Sequence, residues 1–306
     1  MRATVLALPG NAPLAARLVL DLPARMGRLE VRRFPDGETY VRIGSPVAGR
    51  PVVIAATLDR PDEKLIALSL AAATARELGA TAVGLVAPYL PYLRQDRRFR
   101  SGEALSAKHF ARLLSGVVDW VVTVDPHLHR VPDLGGLYAI PAESVTAASR
   151  IAQWVREHVQ APVLVGPDEE SRQWVGRVAD EVGAPVVTLL KRRLGDREVC
   201  IELPDLAPYR GRTPVLVDDI VSTGRTLIEA ARGLAKLGLA SPWCIAVHGI
   251  FAGGAYGRLQ AAGMAGVVTC NTVRHPSNAI EVHDLLTPAA AHRLAEAAAT
   301  SGGESW

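Results

Sequence analysis

The sequence predicts an α/β chain built from two duplicated halves, each a mainly parallel sheet flanked by helices. Three observations carry that expectation. Short β-branched or apolar runs recur along the 306 residues, and alanine- and leucine-rich stretches with helical spacing separate several of them. The runs are apolar throughout instead of alternating, which suits strands covered on both faces, as in a parallel sheet. Finally, the two halves resemble each other segment by segment.

Taken in order, "TVLAL" (4–8) breaks at Pro9-Gly10 and reads as a first strand, too short for a secretory signal. "VRRF" (31–34) reads as a basic strand end. "PVVIAAT" (51–57) reads as a strand leading into the helix "KLIALSLAAATARELGA", which closes at Gly79 as a C-terminal cap would. "AVGLVAPY" (82–89) and "WVVTVD" (120–125) complete the strands of the first half. The second half repeats the series with "APVLVG" (161–166), "PVVTLL" with its basic end "LLKRR", "TPVLVDDI" (213–220) and "CIAVHGIF" (244–251). Its helix, "TLIEAARGLAKLGLA", closes at Gly238. "VLALPG" parallels "VLVGPD", and the segment from Arg50 parallels the one from Arg212. A polar helix start after Pro141 sets the boundary near residues 141–161, giving expected domains 1–145 and 146–306.

Composition narrows the class. With 49% hydrophobic and 21% charged residues the chain is ordinary for a globular protein. A net charge of +3 implies no general nucleic-acid surface. Cys200, Cys244 and Cys270 are scattered, which suits a reducing cytosol and argues against a disulfide framework or zinc site. No stretch approaches the roughly 20 apolar residues that a membrane span needs. The expectation is a cytoplasmic protein without membrane or nucleic-acid partners.

The segment "VLVDDIVSTGRT" (215–226) has no counterpart in the first half. Adjacent carboxylates repel, and a buried carboxylate is costly unless a cation or hydrogen-bond donor meets it. If "PVLVDDI" is a parallel strand, Asp218 and Asp219 lie at its carboxyl end, where open α/β sheets bind ligands. Ser222, Thr223, Gly224, Arg225 and Thr226 then form a turn at a helix N-terminus, offering N–H groups and hydroxyls to a phosphate. The missing lysine separates this turn from the nucleotide loop G-x-x-x-x-G-K-[ST]. A phosphorylated sugar satisfies the whole string, with phosphate in the turn and diol at the acids, directly or through a divalent metal. One half kept the loop, so it serves function more than fold. The stretch resembles the ribose-phosphate motif of the phosphoribosyltransferase fold group.

"FPDGETYVRI" (34–43), "PYLPYLRQDRRFRSGEALSAK" (88–108), "VDPHLHR" (124–130), "GPDEES" (166–171) and "KRR" (191–193) appear in that order. With the acidic loop they resemble the ribose-phosphate pyrophosphokinase family over nearly the whole chain, with features closer to its archaeal-type branch. The resemblance implies two phosphoribosyltransferase-type, Rossmann-like domains. It implies transfer of the β,γ-pyrophosphoryl group of ATP to ribose 5-phosphate, with Mg2+ as cofactor. Lys191 and Arg193 match the catalytic basic pair, and 194–206 matches a mobile lid. Arg94, Gln95 and Asp96 match ATP contacts, while Arg97, Arg98 and Arg100 are either further contacts or surface charge. Phe34, Asp36 and Glu38 match residues that reach a neighbouring subunit's adenine, although a plain β-turn would equally satisfy Pro35-Asp36-Gly37. His127 and Asp168 match the metal-associated positions, His127 also touching ATP phosphate; His129 matches none. The family implies a homo-oligomer, dimer or hexamer.

Two departures stand out. Glu169, Glu170 and Ser171 replace a small, glycine-containing stretch, and Pro46 and Ala48 stand where many members carry an allosteric serine and arginine. A phosphoribosyltransferase, or a non-catalytic regulatory homologue, are the competing readings. "RQD" and "FPDGE" argue against the first, and the retained basic and acidic residues against the second.

Overall fold

The computed structural model describes residues 2–128, 133–169, 171–193, 199–202 and 206–301. The chain divides into two compact units, Met1–Val145 with His283–Trp306, and Thr146–Val282. The first contains β1 (Ala3–Ala7), α1 (Ala12–Asp21), β2 (Ala24–Met26), β3 (Leu29–Arg33), β4 (Thr39–Ile43), β5 (Pro51–Ala55), α2 (Pro61–Glu77), β6 (Ala82–Val86), α3 (Ser106–Ser115), β7 (Trp120–Val124) and β8 (Ala142–Val145). Among the described residues its main sheet runs β2-β1-β5-β6-β7-β8, every pairing parallel. β6 and β7 are buried at every position, as their unbroken apolar runs require. α2 turns Ala67, Leu68, Ala71, Ala72 and Ala75 inward, its small side chains bringing the helix close to the core.

The second unit contains α4 (Ala148–His158), β9 (Pro162–Gly166), α5 (Arg172–Val182), β10 (Val186–Thr188), β11 (Leu190–Arg193), β12 (Val199–Glu202), β13 (Thr213–Val221), α6 (Arg225–Lys236), β14 (Trp243–Gly249), α7 (Ala255–Ala261), β15 (Gly266–Cys270) and β16 (Asn278–Ile280). Its sheet runs β10-β9-β13-β14-β15-β16, again all parallel. In sequence rank this is the order of the first sheet. Each unit also inserts an antiparallel hairpin between its second and third sheet strands, β3–β4 in one and β11–β12 in the other. The two basic strand ends read from the sequence, "VRRF" and "LLKRR", both fall on the first strand of that hairpin. "PVVTLL" is therefore not one strand. It breaks at Leu189, with β10 joining the sheet and β11 leaving it.

A tryptophan lies over a glycine of the neighbouring strand in each sheet. A Cβ on Gly84 would sit 1.9 Å from Trp120, and one on Gly266 would sit 2.2 Å from Trp243. Bare backbone is the space the indoles fill.

The last helix, α8 (His283–Ser301), departs from the expected 146–306 domain by belonging to the first unit. It packs on α1 and the strands β5 to β8, burying Leu286, Ala289, Ala290 and Leu294. Arg293 Nε reaches Glu143 at 3.0 Å and Thr287 Oγ1 donates to Asp21 at 3.4 Å. Its alanine-rich sequence announces a helix but not which sheet it covers.

Candidate active site

β9 and β13 are neighbours, yet the chain proceeds from β9 toward β10 and from β13 toward β14, in opposite directions across the sheet. The loops beyond them diverge and open a crevice at the carboxyl edge, where open α/β sheets bind ligands. Pairing of β9 with β13 reaches only Val165–Leu216, whereas β13 continues beside β14 to Val221. Asp218 and Asp219 occupy that overhang. They are interior residues of the nine-residue β13, which corrects the expectation that they end the strand. The strand persists because β14 still hydrogen-bonds it after β9 has stopped.

Both carboxylates are half-buried, and the Asp219 N–H donates to Asp218 Oδ1 at 3.0 Å. The Asp218 carboxyl is held well above the ordinary carboxylate range. Loss of hydration is the main cause, followed by the charge of Asp219, the charge of Asp168 and a side-chain hydrogen bond with Asp219; the Asp219 N–H opposes them. Asp168, two residues past β9, thus acts on Asp218 across the crevice. Such a set of oxygens fits a hard divalent cation. Among the described residues no three His, Cys, Asp or Glu side chains cluster closely enough to chelate one. The arrangement suits an ion that keeps several waters.

After Val221 the chain turns through Ser222, Thr223 and Gly224 into α6. Gly224 has φ +69°, and its carbonyl takes the first helical bond, from Ile228 N–H at 2.9 Å. The Val221 carbonyl is occupied by the N–H groups of Ile250 and Phe251, each at 3.0 Å. As a result, no backbone N–H from Ser222 through Thr226 donates to a backbone carbonyl among the described residues. These donors lie at the positive end of a twelve-residue helix. α6 is held from below by Leu227, Ile228, Ala230, Ala231 and Leu234, each fully buried leucine contributing about 1.5–3 kcal/mol.

The first unit shows what the same place looks like when closed. In the alignment of "PVVIAAT" with "PVLVDDI", Ala55 and Ala56 take the places of the two aspartates, and both are fully buried. The Thr57 N–H donates to Asn11 Oδ1 at 2.7 Å, and Lys64 Nζ donates to the Thr57 carbonyl at 2.9 Å while pairing with Asp59. One copy fills its strand ends with its own side chains. The other carries two carboxylates and, after them, a run of N–H groups without backbone acceptors among the described residues.

Comparison with known proteins decides the family. The N-terminal domain of ribose phosphate pyrophosphokinase matches residues 3–117, and the phosphoribosyl transferase domain matches residues 137–284. A ribose-phosphate pyrophosphokinase from Methanopyrus kandleri is 36% identical over 91% of this chain and 95% of its own. The chain belongs to the ribose-phosphate pyrophosphokinase family. A Saccharolobus solfataricus member is 35% identical over 83% of this chain and 87% of its own, so archaeal relatives feature as the motifs suggested. A crystal structure of phosphoribosylpyrophosphate synthetase from Mycobacterium smegmatis shares the fold, with a TM-score of 0.81 over 98% of this chain and all of that one, at 23% identity.

The remaining family positions are placed as follows. Asp168 is half-buried and begins a tight turn: Ser171 N–H donates to Asp168 Oδ1 at 3.0 Å, and Ser171 Oγ donates to the Asp168 carbonyl at 2.7 Å. Ser171 also lies under Gly166, where a Cβ would meet its Oγ at 2.8 Å. The departure from the family pattern thus has a local role. Glu169 is exposed, and Glu170 lies outside the described residues. Lys191 and Arg193 lie on β11, two residues apart, and their backbones pair with Ile201 and Val199; their side chains, most of the lid segment and His129 are outside the described set.

In the first unit, "FPDGE" is a hairpin turn between β3 and β4, closed by Gly37 N–H to the Phe34 carbonyl at 2.9 Å and Phe34 N–H to the Glu38 carbonyl at 2.8 Å. Asp36 Oδ1 accepts the Glu38 N–H. Phe34 stays 40% exposed, with Tyr40 against it edge-on and the Arg32 guanidinium 4.7 Å from its ring centre. A turn and a presented aromatic ring coexist. Arg94, Gln95 and Asp96 follow β6, Gln95 Oε1 accepting from Ser106 Oγ at 2.9 Å. Arg97 and Arg98 are exposed; the Arg97 guanidinium lies over the Phe99 ring and Arg98 donates to the Glu103 carbonyl. His127 is half-buried beyond β7. Positive φ at Tyr92 (65°) and Asp125 (31°) concentrates backbone strain at these same strand ends, a signal the sequence did not expose.

Proposed function

We propose that this chain transfers the β,γ-pyrophosphoryl group of ATP to the 1-hydroxyl of ribose 5-phosphate, giving phosphoribosyl pyrophosphate and AMP. The observation that carries the reading is the run of open N–H groups from Ser222 to Thr226, directly after two half-buried carboxylates. A 5-phosphate fits the turn, each charge-assisted hydrogen bond adding roughly 1.5–3 kcal/mol. The sugar hydroxyls donate to Asp218 and Asp219, which fixes the ring and leaves the 1-hydroxyl facing the crevice. That positioning converts an encounter in solution into an attack within one complex.

Charge accumulates on the phosphoryl oxygens during transfer, and Lys191 and Arg193 from β11 are assigned to neutralise it, lysine as a point charge and arginine as a planar fork. Arg94, Gln95, Asp96 and His127 are assigned to ATP. Phe34, Asp36 and Glu38 are assigned to the adenine of a neighbouring subunit, which makes the active form a homo-oligomer, dimer or hexamer. By the family resemblance Asp168, and separately His127, are assigned to magnesium, which would be drawn by the carboxylates around Asp218 and would supply charge neutralisation on the phosphates when bound. Among the described residues no helix is long and apolar enough to cross a membrane, and a cytoplasmic location agrees with the scattered cysteines.

The test is direct. Purified chain with ATP, magnesium and ribose 5-phosphate should yield AMP and phosphoribosyl pyrophosphate in equal amounts. Release of ADP would identify a simple kinase and overturn the proposal.

A further inference from the structure

We infer that Arg258 is a positioning residue for the phosphate turn: it holds the peptide plane whose N–H faces the sugar phosphate. The inference rests on the function proposed above. α7 lies directly against the turn. Its Leu259 is fully buried, and a Cβ added to Gly224 would meet Leu259 Cδ1 and Cγ at 3.2 Å. Beside it, the Arg258 guanidinium bridges two segments. Nη2 donates to the Thr223 carbonyl at 3.2 Å, and Nη1 donates to the Gly253 carbonyl.

The peptide between Thr223 and Gly224 is planar and trans, so its C=O and N–H point in opposite directions. A guanidinium gripping the carbonyl therefore turns the Gly224 N–H away from α7, toward the side where the phosphate is proposed to sit. Flipping that peptide would aim a carbonyl oxygen at the phosphate instead, exchanging an attraction for a repulsion. The guanidinium is charged, so its bond to the Thr223 carbonyl polarises that peptide toward the anion.

The route to this contact is itself constrained. Phe251, Gly253 and Gly254 all adopt positive φ, 45°, 58° and 74°, in bringing the chain from β14 into α7. Ile250 and Phe251 N–H groups bind the end of β13 as they do so. The segment that carries Arg258 is thus tied to the strand that carries the acids. A lysine carries its donors on one nitrogen, whereas the arginine fork meets the two carbonyls from separate nitrogens, Nη1 and Nη2.

Three variants of the full chain test the assignment: Arg258→Ala, Arg258→Lys and, as a probe of the turn itself, Thr226→Ala. AMP formation gives KM for each substrate, and calorimetry gives ribose 5-phosphate affinity independently of turnover. Arg258→Ala should raise the ribose 5-phosphate KM about tenfold, the loss of one charge-assisted hydrogen bond at the low end of its range, with the ATP KM unchanged. Arg258→Lys should fall between wild type and alanine. An unchanged sugar KM and affinity in Arg258→Ala, or equal rises for both substrates, would overturn the inference. If the alanine variant does not fold, the lysine variant decides by the same split, and wild-type behaviour in it refutes the bridging role. A Thr226→Ala loss without an Arg258 effect sinks only this inference. Indifference of both variants sinks the phosphate turn and the proposed function with it.

Discussion

Replacing Gly224 with alanine separates backbone strain from steric fit, because a control glycine lies at the other end of the same helix. Gly224 and Gly238 bracket α6 with φ of +69° and +72°. An L-residue pays about 1–2 kcal/mol in that region. A Cβ at Gly238 meets nothing within 4 Å, whereas one at Gly224 lies 3.2 Å from two carbons of a fully buried leucine. Leu259 has no solvent side to move into, so overpacking adds about 1–3 kcal/mol. Gly238→Ala should therefore lose about 1–2 kcal/mol in urea unfolding, and Gly224→Ala about 2–5 kcal/mol. The steric push also displaces the turn, so only Gly224→Ala should raise the ribose 5-phosphate KM. Equal destabilisation of the two variants would refute the packing argument. A normal sugar KM in a folded Gly224→Ala enzyme would refute the placement of the phosphate.

Four further outcomes are expected. Asp218 has a raised carboxyl in the fold, so its contribution to stability is present below the ordinary carboxylate range and lost as pH rises through the shifted value; Asp218→Asn should raise the melting temperature at neutral pH, and magnesium should stabilise wild type more than the variant. Lys191→Ala should cut turnover by orders of magnitude with little change in ATP affinity, because the proposed contact is made in the transition state; a rise in KM alone would contradict that role. Gly84→Ala drives a Cβ to 1.9 Å from Trp120 and should cost more than about 3 kcal/mol by urea unfolding, while activity at low temperature survives in whatever fraction folds. With Pro46 and Ala48 where the family resemblance places an allosteric serine and arginine, ADP is expected to inhibit only in competition with ATP, and inhibition persisting at saturating ATP would show a second site.

The sequence by itself determined the class of fold and the family. Short unbroken apolar runs rich in β-branched residues fit strands buried on both faces, and the alanine-rich helices between them fit the layers that cover them. Two adjacent aspartates before Ser-Thr-Gly, absent from the matching half, are what led the sequence reading to a sugar phosphate, since residue type sets which ligand groups can be satisfied. Tertiary structure decided what depends on partners distant in the chain. β13 runs past Asp219 because β14 pairs with it, and no local signal in "VLVDDIV" reports the length of a neighbour. α8 covers the first sheet, not the second, because its apolar face fits α1 and β5 to β8; alanine-rich helices carry too little pattern to specify a surface. Asn11 and Lys64 close the first unit's crevice from 46 and 7 residues away from Thr57, and Arg258 reaches Thr223 across 35. Such contacts form only when folding converts sequence separation into adjacency, which local propensity does not encode.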